Sequence, residues 1–340
     1  MLNNVWGDAP VNETYLMIGF AIAVIIMLIV DLGVYNKNPH KITNKEAIAW
    51  SLVWIFMSLV FSGFVWHYLG RDNFSDYLSA YLIEKALSMD NLFVFILVFG
   101  YFKVPEQYQH KVLYYGIIGA IISRAIFIFS GVWLIKLMNL PPFTFAGHEI
   151  HLNLLLAFFG VFLIYAGLKS AFSKQETESD FSRSWVVRLI RSILPVTVDY
   201  KGSRFFSKEN GRRMATPLLL VVGVIEATDI LFAVDSIPAI FAISTDPFIL
   251  YSSNIFAILG LRALYFLLAN FITMFRYLNY GLAVILSFIG LKMLLADFVK
   301  IPSVISLSVV AGILAISVVL SLAINLKDQK NSIKDDDVKP

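Results

Sequence analysis

Apolar residues along this chain come in runs of about twenty, the length a helix needs to cross a hydrocarbon core of ~30 Å, with short polar breaks between them. The pattern predicts an all-α, polytopic membrane protein of about nine transmembrane helices, near residues 15–35, 47–69, 76–101, 110–138, 152–172, 215–243, 252–275, 277–297 and 303–325. One long polar segment interrupts the series, residues 173–214. Within it Phe181, Trp185, Leu189 and Ile193 recur every four residues beside Arg183, Arg188 and Arg191, as in a helix lying in the membrane interface. The tail, residues 327–340, mixes charges without an apolar period and reads as disordered. The whole chain, 1–340, is expected to form a single transmembrane domain.

Charge fixes an orientation. Between the spans and at their ends, Lys and Arg collect in the segments 36–46, 102–111 and 169–214, at Arg276 and in the tail, whereas only Arg71, Lys136 and Lys300 fall on the alternate side. The positive-inside rule then predicts an N-out, C-in topology with the basic loop on the inner side. The first run has no Lys or Arg before it and is too long for a signal-peptide core, so it reads as a retained helix. A hydrophobic share of 58% against 15% charged agrees with this class. With no Cys, a disulfide framework and thiolate metal ligation are excluded, leaving oxygen, His and thioether donors for any metal.

Two of the apolar runs carry acids at their centres. Leu82 to Phe95 holds Glu84, Asp90 and Asn91; Val221 to Phe241 holds Glu226, Asp229, Asp235 and Ser236. Five carboxylates facing lipid would cost roughly 15 kcal/mol on insertion scales, so they are expected to face a protein interior and act there as a site. On the third span Glu84, Ser88 and Asn91 share one helix face, with Asp90 about 100° away; on the sixth, Glu226, Asp229 and Ser236 share a face, with Asp235 offset by the same step. The opposite directions of these spans put Asp90 level with Asp229, and Glu84 level with Asp235 roughly 9 Å further outward.

An internal repeat accompanies the acids. Asp90-Asn-Leu-Phe-Val is followed by Arg124-Ala-Ile-Phe and then Gly167-Leu-Lys169, while Asp229-Ile-Leu-Phe-Ala is followed at similar spacing by Arg262-Ala-Leu-Tyr and then Gly290-Leu-Lys292. A second register sets Glu84 and Asp90 against Asp229 and Asp235, with Asn91 against Ser236, and the sequence leaves both open. Either way three helices separate the units, about 76–172 and 215–297, so they insert in opposite orientations, the inverted repeat of many secondary transporters.

Carboxylates, an amide and hydroxyls form an all-oxygen set suited to a hard divalent cation such as Mn²⁺, Mg²⁺ or Ca²⁺. The expected ligands are Glu84, Asp90, Asn91, Asp229, Asp235 and Ser236, with Ser88 and Glu226 as accessory donors. Pro238 cannot donate to the carbonyl of Val234, so a kink is expected there that frees a further oxygen. Arg124 and Arg262 are expected either to neutralise the acids when no cation is present or to pair with them structurally. Protonation of the same carboxylates is a second route to neutrality, and a route to antiport. Met89 is the one soft donor beside the set. His148-Glu-Ile-His151 has a spacing of three where helical zinc ligation needs four, and Asp31 at the end of the first span reads as interfacial. No catalytic residue, no bound cofactor and no nucleic-acid partner are expected; a divalent cation as substrate and membrane lipid are. The Gly-x-Gly-Asp signature of an intramembrane aspartyl protease is missing.

The segments Ile83-Glu-Lys-Ala-Leu-Ser-Met-Asp-Asn-Leu-Phe-Val-Phe95 and Glu226-Ala-Thr-Asp-Ile-Leu-Phe-Ala-Val-Asp-Ser-Ile-Pro-Ala-Ile-Phe-Ala242 resemble the two signatures of the TerC family of integral membrane proteins, in particular its Alx-like members. Ser253-Asn-Ile-Phe-Ala-Ile-Leu-Gly-Leu-Arg-Ala-Leu-Tyr-Phe266 and Arg204-Phe-Phe-Ser-Lys-Glu-Asn-Gly-Arg212 extend the likeness, to about residues 20–300. The resemblance implies a bacterial cytoplasmic-membrane protein related to cation exporters of the LysE superfamily, with Mn²⁺ export as its activity. It implies roles by position for Glu84, Asp90, Asn91, Asp229, Asp235 and Ser236. It equally allows a membrane scaffold or assembly factor, or a tellurite or metal-stress resistance protein without transport.

Overall fold

A computed structural model describes residues 11–33, 43–140, 143–145, 148–150, 153–172, 185–209, 211–269, 278–296, 298–299 and 301–336. Ten helices carry it: α1 (Val11–Gly33), α2 (Asn44–Tyr101), α3 (Glu106–Leu137), α4 (Leu154–Phe172), α5 (Trp185–Ile193), α6 (Pro217–Phe241), α7 (Pro247–Leu259), α8 (Leu261–Ala269), α9 (Leu278–Leu294) and α10 (Ser303–Asp336). Among the described residues five stretches are long and apolar enough to cross a membrane, Asn44–Ser88, Glu106–Leu137, Pro217–Phe241, Pro247–Leu267 and Ser303–Ser321, and shorter apolar helices join them at Thr14–Val30, Leu154–Lys169 and Tyr280–Leu294. This is a polytopic, helical membrane protein.

The second and third expected spans are the two arms of α2, which turns back on itself between them. Gly70 interrupts it at φ 89°, a left-handed conformation that glycine adopts without steric cost. Ser58 and Tyr77 share a hydrogen bond of 3.0 Å across the two arms, Phe61 lies 5.6 Å from Tyr77, and Trp66 lies 5.7 Å from Phe74 near the bend. The first arm begins with a capping box, Thr43 accepting from Glu46 and Glu46 from Thr43.

The seventh expected span is not one helix. Asp246 caps α7, accepting from the amides of Phe248 and Ile249, and Pro247 occupies the first turn. The helix then stops at Gly260, and α8 resumes at Leu261. Of the five long apolar stretches, Pro247–Leu267 is 94% buried in its most apolar part, against 17–39% for the others, so the broken helix runs through the centre of the bundle. Non-helical backbone at this depth is tolerated where protein surrounds it. Lys85 Nζ donates to the carbonyl of Ala257 at 3.1 Å, supplying one of the partners that the end of α7 lacks. A Cβ on Gly260 would meet that Nζ at 2.5 Å.

Glycines also set the closest helix pair, α4 against α9. A Cβ on Gly290 would lie 2.6 Å from the carbonyl oxygen of Gly160 and 2.9 Å from Ile164; one on Gly167 would lie 2.7 Å from the carbonyl oxygen of Ala283 and 2.6 Å from Ser287. Small residues let backbones touch where no hydrophobic force drives helices together. The α3–α6 contact uses the same device, with Gly131 under the ring of Phe241 and Gly116 under Ile225.

The connections are not wholly irregular: β1 (Phe143–Phe145) pairs with β2 (His148–Ile150), and β3 (Phe206–Glu209) pairs with β4 (Arg212–Ala215), both antiparallel. Asn210-Gly211 is the strongest short hairpin signal a sequence offers, and Gly211 has φ 79°. The helix α10 continues past Lys327 to Asp336; once the apolar part has nucleated the helix, each added residue needs only one more hydrogen bond. Pro238 lies inside α6, which continues to Phe241. Arg276, residues 173–184, His151 and residues 337–340 lie outside the described residues.

Gly290→Val should lower the melting temperature of the detergent-solubilised protein, the overpacking costing about 1–3 kcal/mol. Gly312→Ala, with nothing within 4 Å of the added methyl, should leave it unchanged or raised. Equal behaviour of the two variants in a thermal-shift series would show that α4 and α9 do not meet through these glycines.

Candidate functional site

The site is built around Arg124, halfway along α3 and wholly buried. One terminal nitrogen, Nη1, donates to Glu84 Oε1 on the second arm of α2 and to Ser236 Oγ on α6 at 3.3 Å; the other, Nη2, donates to Asp229 Oδ1 on α6 at 3.4 Å. Ser88, one turn after Glu84, donates to the same Oε1 at 3.3 Å. A single guanidinium therefore ties three helices. Its planar fork of donors is what allows one side chain to meet two carboxylates and a hydroxyl.

The oxygens left over matter as much. Glu84 and Asp229 are 0% and 4% exposed, and among the described residues Glu84 Oε2, Asp229 Oδ2 and Arg124 Nε have no hydrogen-bond partner. Glu84 and Asp229 set two acidic side chains against the one guanidinium of Arg124 in a dry interior, where charge interactions are poorly screened. Asp229 and Arg262 are the charged residues lining a small cavity walled by apolar side chains such as Phe95, Ile117 and Ile258. Its space for a water-sized occupant is about 10 Å³, room for one water or one bare ion.

Glu226 stands one turn before Asp229 but faces a different neighbour. Its carboxylate rests on Gly119 of α3, where any Cβ would overlap its oxygens. Asn91 is buried on the same arm of α2 as Glu84. The side chain of Val234 is exposed on α6, away from the packed face. The backbones of Asp90 and Asp235 continue α2 and α6, and their side chains, with that of Met89, lie outside the described residues. Among the described residues no three acidic or imidazole side chains converge; Glu84 and Asp229 do, with Arg124 between them.

Sequence reasoning names Glu84, Ser88, Asp229, Ser236 and Arg124, and the structure brings these five together. Sequence reasoning also sets Glu84 level with Asp235, and Arg124 Nη1 does meet both Glu84 and Ser236, the residue after Asp235, while Nη2 meets Asp229. Helix pitch fixes spacing along one helix, but the axial offset between two helices comes from packing, here from Gly116 and Gly119 bringing α3 against α6. Two residues escape that reasoning. Lys85 braces the break after α7. Asn254 in α7 is fully buried, and among the described residues neither polar atom of its amide has a partner.

Comparison with known proteins follows from this geometry. The family model described as "Integral membrane protein TerC family" matches residues 69–330, which include every residue of the Arg124 cluster. The chain belongs to the TerC family. It is 46% identical over 321 residues to a protein of Escherichia coli (strain K12) named "Putative membrane-bound redox modulator Alx", covering 92% of this chain and 95% of that one. It is 45% identical over 312 residues to "Uncharacterized membrane protein STKORF319" of Myxococcus xanthus, covering 92% and 93%. No solved structure matches it.

Arg124→Leu should destabilise this TerC-family protein by about 3–5 kcal/mol, because two carboxylates would then be buried unpaired. Adding Glu84→Gln and Asp229→Asn to that variant should recover most of the loss. Thermal unfolding in detergent reads both; a stable Arg124→Leu protein would mean that the ion pairs are not what holds α2, α3 and α6 together.

Proposed function

We propose that the protein is a secondary transporter that exports a hard divalent cation, Mn²⁺ foremost, through the Arg124 site in a bacterial cytoplasmic membrane. The observation that carries this reading is the fully buried guanidinium bonded to Glu84, Asp229 and Ser236. It occupies the place of a cation among hard oxygen donors, and each acid keeps one oxygen free. Asp90, Asn91 and Asp235 on the same two helices supply the remaining donors. A proton taken up by an acid as the metal leaves would make the cycle an antiport.

The inverted repeat supports this reading. In the register that sets Gly167 against Gly290, Gly160 maps to Ala283 and Ile164 to Ser287. The contacts of Gly290 with Gly160 and Ile164 then become those of Gly167 with Ala283 and Ser287, and both sets exist. A two-fold axis between α4 and α9 would produce this exchange. The helix directions agree with an alternating count, α3 running parallel to α6 through the pairs Gly116/Ile225, Gly119/Glu226 and Gly131/Phe241. The same symmetry assigns Asp90 to Arg262 as Asp229 is assigned to Arg124.

A second reading, a membrane scaffold, is favoured by the way Arg124 joins three helices. Redox modulation, the role in the name of several relatives, would act through metal handling here, because the sequence holds no Cys to act as a thiol.

Purified protein in vesicles loaded with Mn²⁺, Mg²⁺ or Ca²⁺ should release Mn²⁺, faster under a pH gradient. Asp229→Asn, Asp90→Asn and Asp235→Asn should abolish release while the protein stays folded and membrane-inserted. Undiminished release by these variants would remove the site, and no movement of any cation by the parent protein would favour the scaffold.

A further inference from the structure

The helix α5 presents three faces. Val186 and Val187 are buried, and Val186 and Ile190 press onto α6 at Gly223, where a Cβ would lie 3.0 Å and 2.8 Å from them. Trp185, Leu189 and Ile193, at i, i+4 and i+8, form a stripe 60%, 48% and 69% exposed. Arg188 and Arg191 occupy the remaining face, also exposed. A large apolar stripe open to water on a charged helix is unfavourable unless something covers it.

The surroundings fix the level of α5 in the molecule. The segment after it is fastened to the helix ends: Tyr200 Oη donates to the carbonyl of Phe102 at 2.8 Å, and Lys111 at the start of α3 donates to the carbonyl of Ser203 and lies 4.7 Å over the ring of Phe205. Gly223 is in the second turn of α6. The helix α5 therefore sits where the membrane-crossing helices begin, on the side that collects the basic residues. Lys201, Arg204, Lys208, Arg212 and Arg213 follow it on the same segment. Positive charge beside an apolar stripe at this level matches a surface that offers phosphate outside and hydrocarbon beneath.

We propose that α5 docks on anionic lipid of the adjoining leaflet, with Trp185, Leu189 and Ile193 at the acyl boundary and Arg188 and Arg191 on headgroup phosphates. The other face of α5 rests on α6, so the leaflet bears on the helix that carries Glu226 and Asp229. Lipid charge thereby acts on the Arg124 site, a consequence that rests on the transport reading, whereas the docking itself does not.

The chain contains no Cys, so Ile193→Cys in the full-length protein gives a single attachment point for an environment-sensitive fluorophore. In phosphatidylcholine vesicles containing phosphatidylglycerol, the label should be quenched by bromine on lipid acyl chains and shielded from iodide in the water. Leaving out phosphatidylglycerol, or adding Arg188→Gln and Arg191→Gln, should shift docking toward the undocked state, by about thirtyfold for the two charges. Three outcomes overturn the proposal: a label open to iodide in both lipid mixtures, one shielded from both quenchers and hence covered by protein, and one equally lipid-buried with and without phosphatidylglycerol. Mn²⁺ release from the same vesicles separates the two readings. Docking without release leaves the lipid surface standing and removes the transporter; release without docking does the reverse.

Discussion

A guanidinium shut away from water is the constraint around which this bundle is organised. Burying a charge is costly unless its partners answer it, and Arg124 is answered from two other helices at once. That demand reaches outward. For Nη2 to meet Asp229, α3 must lie against α6, and Gly116, Gly119 and Gly131 remove the side chains that would hold them apart. For Nη1 to meet Glu84, the second arm of α2 must pass the same point, which the reversal at Gly70 permits. Lys85, the residue after Glu84, then reaches the carbonyl freed by the break after α7. A chain of dependence thus runs from one ion cluster to a bend, a break and three close helix contacts.

Much of this was legible because hydropathy and charge are local properties. Within the described residues the apolar runs fall on helices, and the cost of acids within them pointed Glu84 and Asp229 to a protein interior, where both are buried. Arg124 was recognisable as a counter-ion because an arginine inside an apolar run has few other uses. What escaped was relative placement. Nothing in the spacing of Glu84 and Asp229 on separate helices says that one guanidinium will bridge them. The reversal at Gly70 falls in the gap expected between residues 69 and 76, whereas the break at Gly260 was hidden: a glycine within an apolar run reads as a tolerated small residue, and only the packing shows that a neighbour's ammonium lies against it. The β3–β4 hairpin was written plainly in Asn210-Gly211, yet it lies in a polar loop where apolar periodicity carries no signal.

The two glycine-lined contacts differ in a way that bears on motion. Between α4 and α9, a Cβ on Gly290 or Gly167 would meet a backbone carbonyl, and the backbone there leaves little room to slide. Between α3 and α6, the atoms over Gly119 and Gly131 belong to the carboxylate of Glu226 and the ring of Phe241, side chains that change rotamer. The first pair is suited to serve as a fixed axis and the second to be a joint that opens. Alternating access by repeat units requires both kinds of contact, one fixed and one that yields.

Charge arithmetic then decides what a transported cation must do. With Glu84 and Asp229 ionised, the cluster carries minus one, and a divalent ion placed between them would change this to plus one. A dry interior does not hold that excess, since the repulsion between ion and guanidinium is as poorly screened as the attraction that brought the ion in. Either Arg124 withdraws or a third carboxylate joins. Withdrawal unties α3 from both α2 and α6, because the same two nitrogens make all of those bonds. A joining acid must come from the same two helices, where Glu226 stands one turn from Asp229 across the yielding face at Gly119. Withdrawal of Arg124, or approach of Glu226 across Gly119, moves α3 relative to α6, so by either route, on the transport reading, cation binding and the conformational step are one event.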